Sequence, residues 1–232
     1  MSDRPDSILI YAAGFGTRMK ELTRDRPKPL VRVAGKALLD HAIACADGAA
    51  VPRKVVNTHY LHQQIADHLS DRPDILLSHE QPEILETGGG LRHARPLLGP
   101  GPVFTLNTDA IWTGSNPLAQ LLTRWDPDRM DALLLLVPRD RATGYRGKGD
   151  FLRAPDGRIG RGPGDVYTGA QIIRPDLLDT IPETSFSVNK LWNLTLAAGR
   201  TYGVVHDGGW CDVGRPEGIE TAEALLAEGG LV

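Results

Sequence analysis

Arg18 and Lys28 are the residues of this 232-residue chain best suited to chemistry on phosphates. Arg18 closes the run Ala12-Ala13-Gly14-Phe15-Gly16-Thr17, whose small residues let backbone N–H groups approach a ligand closely. Lys28 stands between Pro27 and Pro29, which stiffen the backbone on both sides of it. A glycine loop followed by an arginine and a braced lysine describes a cradle for a polyphosphate. A dinucleotide-binding loop of the form G-x-G-x-x-G is excluded, because Met19 occupies the last position. No Gly-Lys-Ser/Thr occurs, so the chain has no P-loop.

Two carboxylates complete the chemistry. Asp109 follows the apolar run Val103 to Leu106, and Asp212 lies in the compact segment Gly209-Trp210-Cys211-Asp212-Val213-Gly214. A carboxylate at the end of a buried strand suits Mg²⁺, which takes oxygen ligands and commonly uses one or two protein carboxylates beside a bound phosphate. A single Asp at such a place also serves as a turn or helix cap. The pair favours the metal. Asn57, Asn107, Asp150 and Gly169 fall at strand ends or in a loop, where short amides and carboxylates suit sugar hydroxyls or simply form turns. Lys190 fits a phosphate contact or a solvated helix surface equally well. The triplet Gly88-Gly89-Gly90 after Glu86-Thr87 reads as a loop able to lie flat on a planar ring, although glycines alone also fit a flexible turn. His59, His62, His68 and His79 have no compact metal-ligand spacing.

To bring these residues together, apolar runs must act as strands and alternate with helices. Strands are expected at Ile8 to Ile10, Lys54 to Asn57, Ile75 to Ser78, Val103 to Leu106, Ala132 to Val137, Val166 to Ile173 and Thr201 to Val205. Helices are expected at Leu38 to Ala46, Leu61 to Leu69, Leu91 to Leu98, Leu118 to Trp125, Pro175 to Thr180, Val188 to Ala198 and about Pro216 to Glu228, with Gly229-Gly230 as a stop. That alternation predicts an α/β fold: one Rossmann-like domain over residues 1–232, a mostly parallel central sheet and helices on both faces. Residues 138–166, rich in Gly, Arg, Asp and Pro, break the rhythm and read as a small inserted β hairpin over the site or as a disordered lid.

Composition excludes other classes. A formal charge of −3 gives no general attraction for nucleic acid or an anionic membrane. No apolar run approaches a membrane span, Met1 to Asp6 is too polar for a signal peptide, and Cys45 and Cys211 are far apart. A reduced, cytoplasmic setting is the expectation. Nothing in the chain fixes an oligomeric state.

Taken in order, AAGFGTRM at 12–19, PKPL at 27–30, LETGGG at 85–90, Asn107-Thr108-Asp109, Gly149-Asp150-Phe151 and WCDVG at 210–214 resemble the signature of the sugar nucleotidyltransferases. These enzymes join a nucleoside triphosphate to a sugar 1-phosphate and release pyrophosphate. The resemblance spans essentially the whole chain as a minimal catalytic domain, which stops too early for the C-terminal hexapeptide β-helix that some members carry. Thr108 stands where the family pattern has glycine, and its branched Cβ restricts the backbone. The resemblance implies Mg²⁺ on Asp109 and Asp212, with Arg18 and Lys28 acting on the phosphates. It implies a nucleotide held by Ala12, Ala13, Gly14, Gly16, Thr17, Arg18, Lys28, Thr87 and Gly88. The sugar phosphate would be met by Asn57, Asn107, Asp150, Gly169 and Lys190. LETGGG combined with GxGDF is similar to the branch that transfers UMP from UTP to N-acetylmuramic acid 1-phosphate. Arg139, Arg141, Arg146, Lys148 and Arg153 are then candidates to neutralise the lactyl carboxylate of that acceptor. Rival readings are a transferase for glucose, mannose or N-acetylglucosamine 1-phosphate or for phosphocholine, and a nucleotide-binding regulatory domain without turnover.

Overall fold

The computed structural model describes residues 3–229. Seven strands form the central sheet: β1 (Ser7–Tyr11), β2 (Arg53–Thr58), β3 (Ile75–His79), β4 (Val103–Asn107), β5 (Ala132–Val137), β6 (Val166–Ile173) and β7 (Thr201–Val205). Their spatial order is β7-β5-β6-β4-β1-β2-β3. Only β6 runs against its neighbours; β4, β1, β2 and β3 are mutually parallel, as are β5 and β7. The chain steps outward from β1 to β3 and then returns to the other side of β1 as β4. That reversal opens a crevice at the carboxyl ends of β1 and β4, where ligands bind in open α/β sheets.

Strand periodicity builds a core on each face. Ile8, Ile10, Val56, Phe104, Leu133 and Leu135 point to one side and pack with α1 (Leu38–Gly48), α2 (His62–His68) and α4 (Pro117–Arg124). Leu9, Val55, Val103, Leu134 and Leu136 point to the other, toward α3 (Glu86–Leu98) and α5 (Asn189–Ala197). The strand β5 reads ALLLLV and is buried at every position, as a strand covered on both faces must be. A third, smaller core joins Ile111, Cys211 and Val213 to Ala222 and Leu226 of α6 (Glu217–Gly229). The expected stop at Gly230 lies outside the described residues.

The departures from the sequence reading are local. The glycine triplet is not a loop: α3 begins at Glu86 and runs through all three glycines. Where a helix is expected over Pro175 to Thr180, Asp176–Thr180 forms a short 3₁₀ turn rather than an α-helix. Within 138–166, Phe151–Arg153 and Ile159–Arg161 pair as an antiparallel hairpin. Ala142–Thr143 instead joins a three-stranded sheet with Ala110–Trp112 and Trp210–Asp212. Strands of two or three residues carry too little alternation to announce themselves.

Two buried histidines give the fold a pH dependence. Burial holds His41 and His206 below the usual imidazole value of 6.5; His41 meets the Val33 carbonyl at 3.0 Å and His206 meets that of Thr113 at 3.0 Å. Both are neutral in the fold and bind a proton more readily when it opens. Stability is therefore full above about pH 6.5 and is lost as pH falls through the lower folded-state values. A Tm profile from pH 8 to pH 5 is expected to slope downward on the acid side, and His41→Gln to flatten it; an unchanged slope in that variant would remove His41 from the account.

Candidate active site

The crevice at the ends of β1 and β4 is a cavity of about 280 Å³. Ala12, Ala13, Gly14, Gly16, Thr17, Arg18, Lys28, Asn57, Thr87, Asn107 and Asp109, all named from the sequence, line it. A Cβ at Gly14 would meet nothing within 4 Å, so the loop there faces open space. Gly16 has φ +64, and a Cβ on it would lie 2.7 Å from the Lys28 Cβ. The glycine therefore does two things: it turns the chain and lets the lysine stem cross beneath the loop. Lys28 follows extended Pro27 and starts a 3₁₀ turn, so its side chain rises from a rigid base.

Lys28 Nζ reaches Asp109 Oδ2 at 2.7 Å, with only 11% of the lysine side chain exposed. Arg18 approaches the same oxygen at 3.9 Å and is more than half exposed, free to turn toward a ligand. Burial would raise the Asp109 pKa, but the charges of Lys28 and Arg18 outweigh it and hold the group below the usual carboxylate range. Asp212 moves the opposite way, raised by burial and by the Asp109 charge, with Lys28 and Arg18 opposing in part. The small sheet creates this encounter: Asp212 pairs in register with Ala110, and the Val213 N–H donates to the Asp109 carbonyl at 2.8 Å. Asp212 does not itself line the cavity; beside it Gly214 does, and a Cβ on Gly214 would sit 2.8 Å from Asp212 Oδ1 and 2.9 Å from Arg18 Nη1.

An Asp212 carboxyl whose ionisation is opposed by burial and by the Asp109 charge, beside the cleft that Asp109 lines, is part of a donor set that a hard divalent cation would relieve. Among the described residues no cluster of three or more His, Cys, Asp or Glu offers a metal site. A cation on Asp109 and Asp212 alone would keep positions for water and phosphate oxygens, which is the habit of Mg²⁺.

Thr108 does not need the freedom of glycine. It has no positive φ, and its hydroxyl donates to the Tyr11 carbonyl at 2.9 Å, tying the end of β4 to the end of β1. Gly169, with φ +92, leaves room for Asn107, whose Cβ would be 2.8 Å from a Cβ there. Other residues named from the sequence are engaged elsewhere. Gly88 faces Phe186, whose ring would be 2.5 Å from a Cβ, and its N–H donates to the Phe186 carbonyl at 2.8 Å. Asp150 accepts from the Tyr145 hydroxyl at 3.0 Å and the Tyr167 N–H at 2.9 Å, bracing the insertion against β6. Lys190 is exposed and pairs with Glu183. Arg153 pairs with Asp165 at 3.2 Å, whereas Arg161 lies 4.9 Å above the Phe151 ring and 5.4 Å from that of Trp192.

Tyr11, Glu80 and Ile84 also line the cavity and were not singled out in the sequence, and Glu86, known there only as part of the LETGGG motif, lines it as well. Tyr11 and Glu80 sit at or just beyond strand ends, as Asn57 and Asn107 do, and that position was the available signal. Glu86 adopts φ +57, a left-handed conformation costly for a residue with a side chain, as α3 begins at the cavity.

The fold and this cleft define a nucleotidyltransferase. The chain belongs to the family of MobA-like NTP transferase domains, whose model matches residues 8–182. Among curated relatives, the N-acetylmuramate α-1-phosphate uridylyltransferase of Caulobacter vibrioides is 42% identical over 98% of this chain and 100% of its own length. The enzyme of the same name from Neisseria meningitidis serogroup B is 34% identical, covering 94% of this chain and 96% of the relative. The mannose-1-phosphate guanylyltransferase catalytic subunit β of Dictyostelium discoideum is 29% identical over 90% of this chain and 61% of its own. In fold, the chain is similar to HddC from Yersinia pseudotuberculosis, solved with GMP-PN, at a TM-score of 0.76 and 22% identity over 94% of this chain and 98% of that one.

Proposed function

We propose that the protein transfers UMP from UTP to N-acetylmuramic acid 1-phosphate, giving UDP-N-acetylmuramic acid and pyrophosphate. The observation that carries this reading is the near full-length similarity, at 42% and 34% identity, to two uridylyltransferases named for that acceptor. The guanylyltransferase relative is more distant and is matched over less of its length. The site supplies the chemistry such a transfer needs. A sugar phosphate is largely dianionic near pH 7, with a second pKa of about 6, so its oxygen attacks the α-phosphorus without a side-chain base. The obstacle is bringing anions together. Lys28, fixed by its 3₁₀ turn, and Arg18, exposed at the cavity rim, offer positive charge to the triphosphate and to the departing pyrophosphate. Asp109 and Asp212 would hold Mg²⁺, which when bound supplies charge to orient and polarise the phosphates. Among the described residues no helix is long and apolar enough to cross a membrane. This reading places the enzyme in the cytoplasm, in recycling of cell-wall sugars.

The regulatory-domain reading gives no reason for Arg18, Lys28 and Asp109 to meet in one cleft with Asp212 beside them. The acceptor is decided by comparing kcat/KM with UTP across N-acetylmuramic acid, N-acetylglucosamine and glucose 1-phosphates and phosphocholine, scored by pyrophosphate release. The muramic substrate is expected to lead by about tenfold or more, since a charge-assisted contact to its carboxylate contributes about 1.5–3 kcal/mol. A better rate with another acceptor would overturn the sugar while leaving the transferase intact.

A further inference from the structure

Glu80 is fully buried, yet it lines the cavity. Its backbone is fixed, the N–H donating to the Thr58 carbonyl at 2.9 Å and its own carbonyl meeting His59 Nδ1 at 3.0 Å. One side-chain oxygen accepts from Asn57 Nδ2 at 2.7 Å and the other from the Leu85 N–H at 2.8 Å. Asn57 in turn accepts from the Ala12 N–H through Oδ1 at 2.8 Å. A Cβ on Gly90 would lie 2.5 Å from Glu80 Oε1 and 3.0 Å from Asn57 Nδ2, so the last glycine of the triplet is the space this network occupies.

The relay runs between two backbone donors, Ala12, which lines the cavity just after β1, and Leu85, just before α3 and between the lining residues Ile84 and Glu86. Each end offers an N–H that cannot change its polarity. The two side chains between them must therefore present three acceptors and one donor, and Asn with Glu is a pair that does so. We infer that Glu80 is a positioning residue which, through Asn57, sets the spacing between Ala12 and the Leu85–Thr87 turn and so the width of the slot that takes the nucleobase. This rests on the reading of the cleft as the nucleotide site. It gives Asn57 a different part from sugar binding: both of its amide atoms already have partners inside the protein.

The counting makes the test sharp. Glu80→Gln leaves two acceptors and two donors between two fixed donors, so one donor must face another whichever way the amides flip. Asn57→Asp with Glu80 retained sets two carboxylates face to face. Combined, Asn57→Asp and Glu80→Gln restore three acceptors and one donor, with the polarity of the central bond reversed. Initial rates and Tm are measured at pH 8 for the four proteins, with isothermal titration of UTP alongside. Glu80→Gln is expected to raise KM and Kd for UTP by about tenfold or more, the usual consequence of a buried unpaired donor, while kcat stays within about threefold. The double variant is expected to recover both Tm and UTP affinity. A Tm that falls in Glu80→Gln with unchanged UTP affinity makes the relay merely structural and overturns the inference. So does a double variant that regains Tm but not affinity, which assigns Glu80 to direct contact with the base. A wild-type protein that shows no binding of UTP at all removes the nucleotide reading first, and the inference with it.

Discussion

Asp109→Asn is expected to lower turnover by about 10³-fold or more with little change in fold, because it removes several kcal/mol of charge stabilisation from the phosphates. The carboxylate has two tasks that the amide cannot share. In the proposed reaction it would offer a negative oxygen to a divalent cation beside Asp212, and it holds the Lys28 ammonium at 2.7 Å. Asn keeps the shape and one acceptor but loses the charge on which both depend. The residue is at the cavity, half-buried, and its backbone carbonyl continues to receive the Val213 N–H. The packing around it should therefore survive, and Tm should move little. Loss of the negative charge also relieves Asp212, whose pKa is raised by burial and by its neighbour, so Asp212 should ionise more readily in the variant. Two measurements separate the tasks: pyrophosphate release, and binding of Mn²⁺ followed by electron paramagnetic resonance. The expected result is that Asp109→Asn and Asp212→Asn each weaken Mn²⁺ binding in the presence of UTP. Full activity of Asp109→Asn, or full activity of the wild type in excess chelator, would end the metal assignment.

The sequence shows the sheet and the loop that lines the cleft because both are carried by residues close together in the chain. β1 and the loop after it lie within one segment, and strands such as ALLLLV announce burial on two faces by composition alone. What the sequence hides is whatever depends on a distant neighbour. The glycine triplet reads as a loop until Phe186, Thr184 and Glu80 are seen pressed against α3, each occupying the place a Cβ would take. Helix propensity argues against three consecutive glycines, and tertiary packing overrides it. Glu80 looks like one more polar residue after a strand until Asn57 and Leu85 close on it. Asp150, read as a sugar ligand, turns out to have both oxygens occupied by Tyr145 and Tyr167. Asp109 and Asp212 are a hundred residues apart in sequence, and only the small three-stranded sheet, too short to show periodicity, brings them side by side.

Lys28→Ala is expected to reduce kcat/KM by about 10²-fold or more, and Lys28→Arg to recover little of it, since a fixed donor aimed at developing charge is worth about 3 kcal/mol. The magnitude follows from how the lysine is held. Pro27 and Pro29 fix its backbone, Gly16 gives passage to its stem, and the side chain is almost wholly buried. The ordering cost of a flexible lysine is thus met in the folded protein, before any nucleotide arrives. Arg18, more than half exposed, has no such preparation and should contribute less when truncated. Arginine at position 28 keeps the charge but not the fit. The guanidinium is planar and broader than an ammonium, and the channel beneath Gly16 already has a Cβ-to-Cβ clearance that excludes alanine at 16. The loss should appear mainly in kcat if Lys28 meets charge that develops on the leaving pyrophosphate. It should appear mainly in KM if the lysine binds the triphosphate equally in the ground state. Measuring both constants with UTP, together with Tm, distinguishes these from a structural role. In the free protein Lys28→Ala also deprives Asp109 of its nearest cation, so a modest rise in the Asp109 pKa should accompany the loss. Near-normal kcat/KM in Lys28→Ala, with the fold intact, would show that the lysine only neutralises Asp109 and takes no part in the transfer.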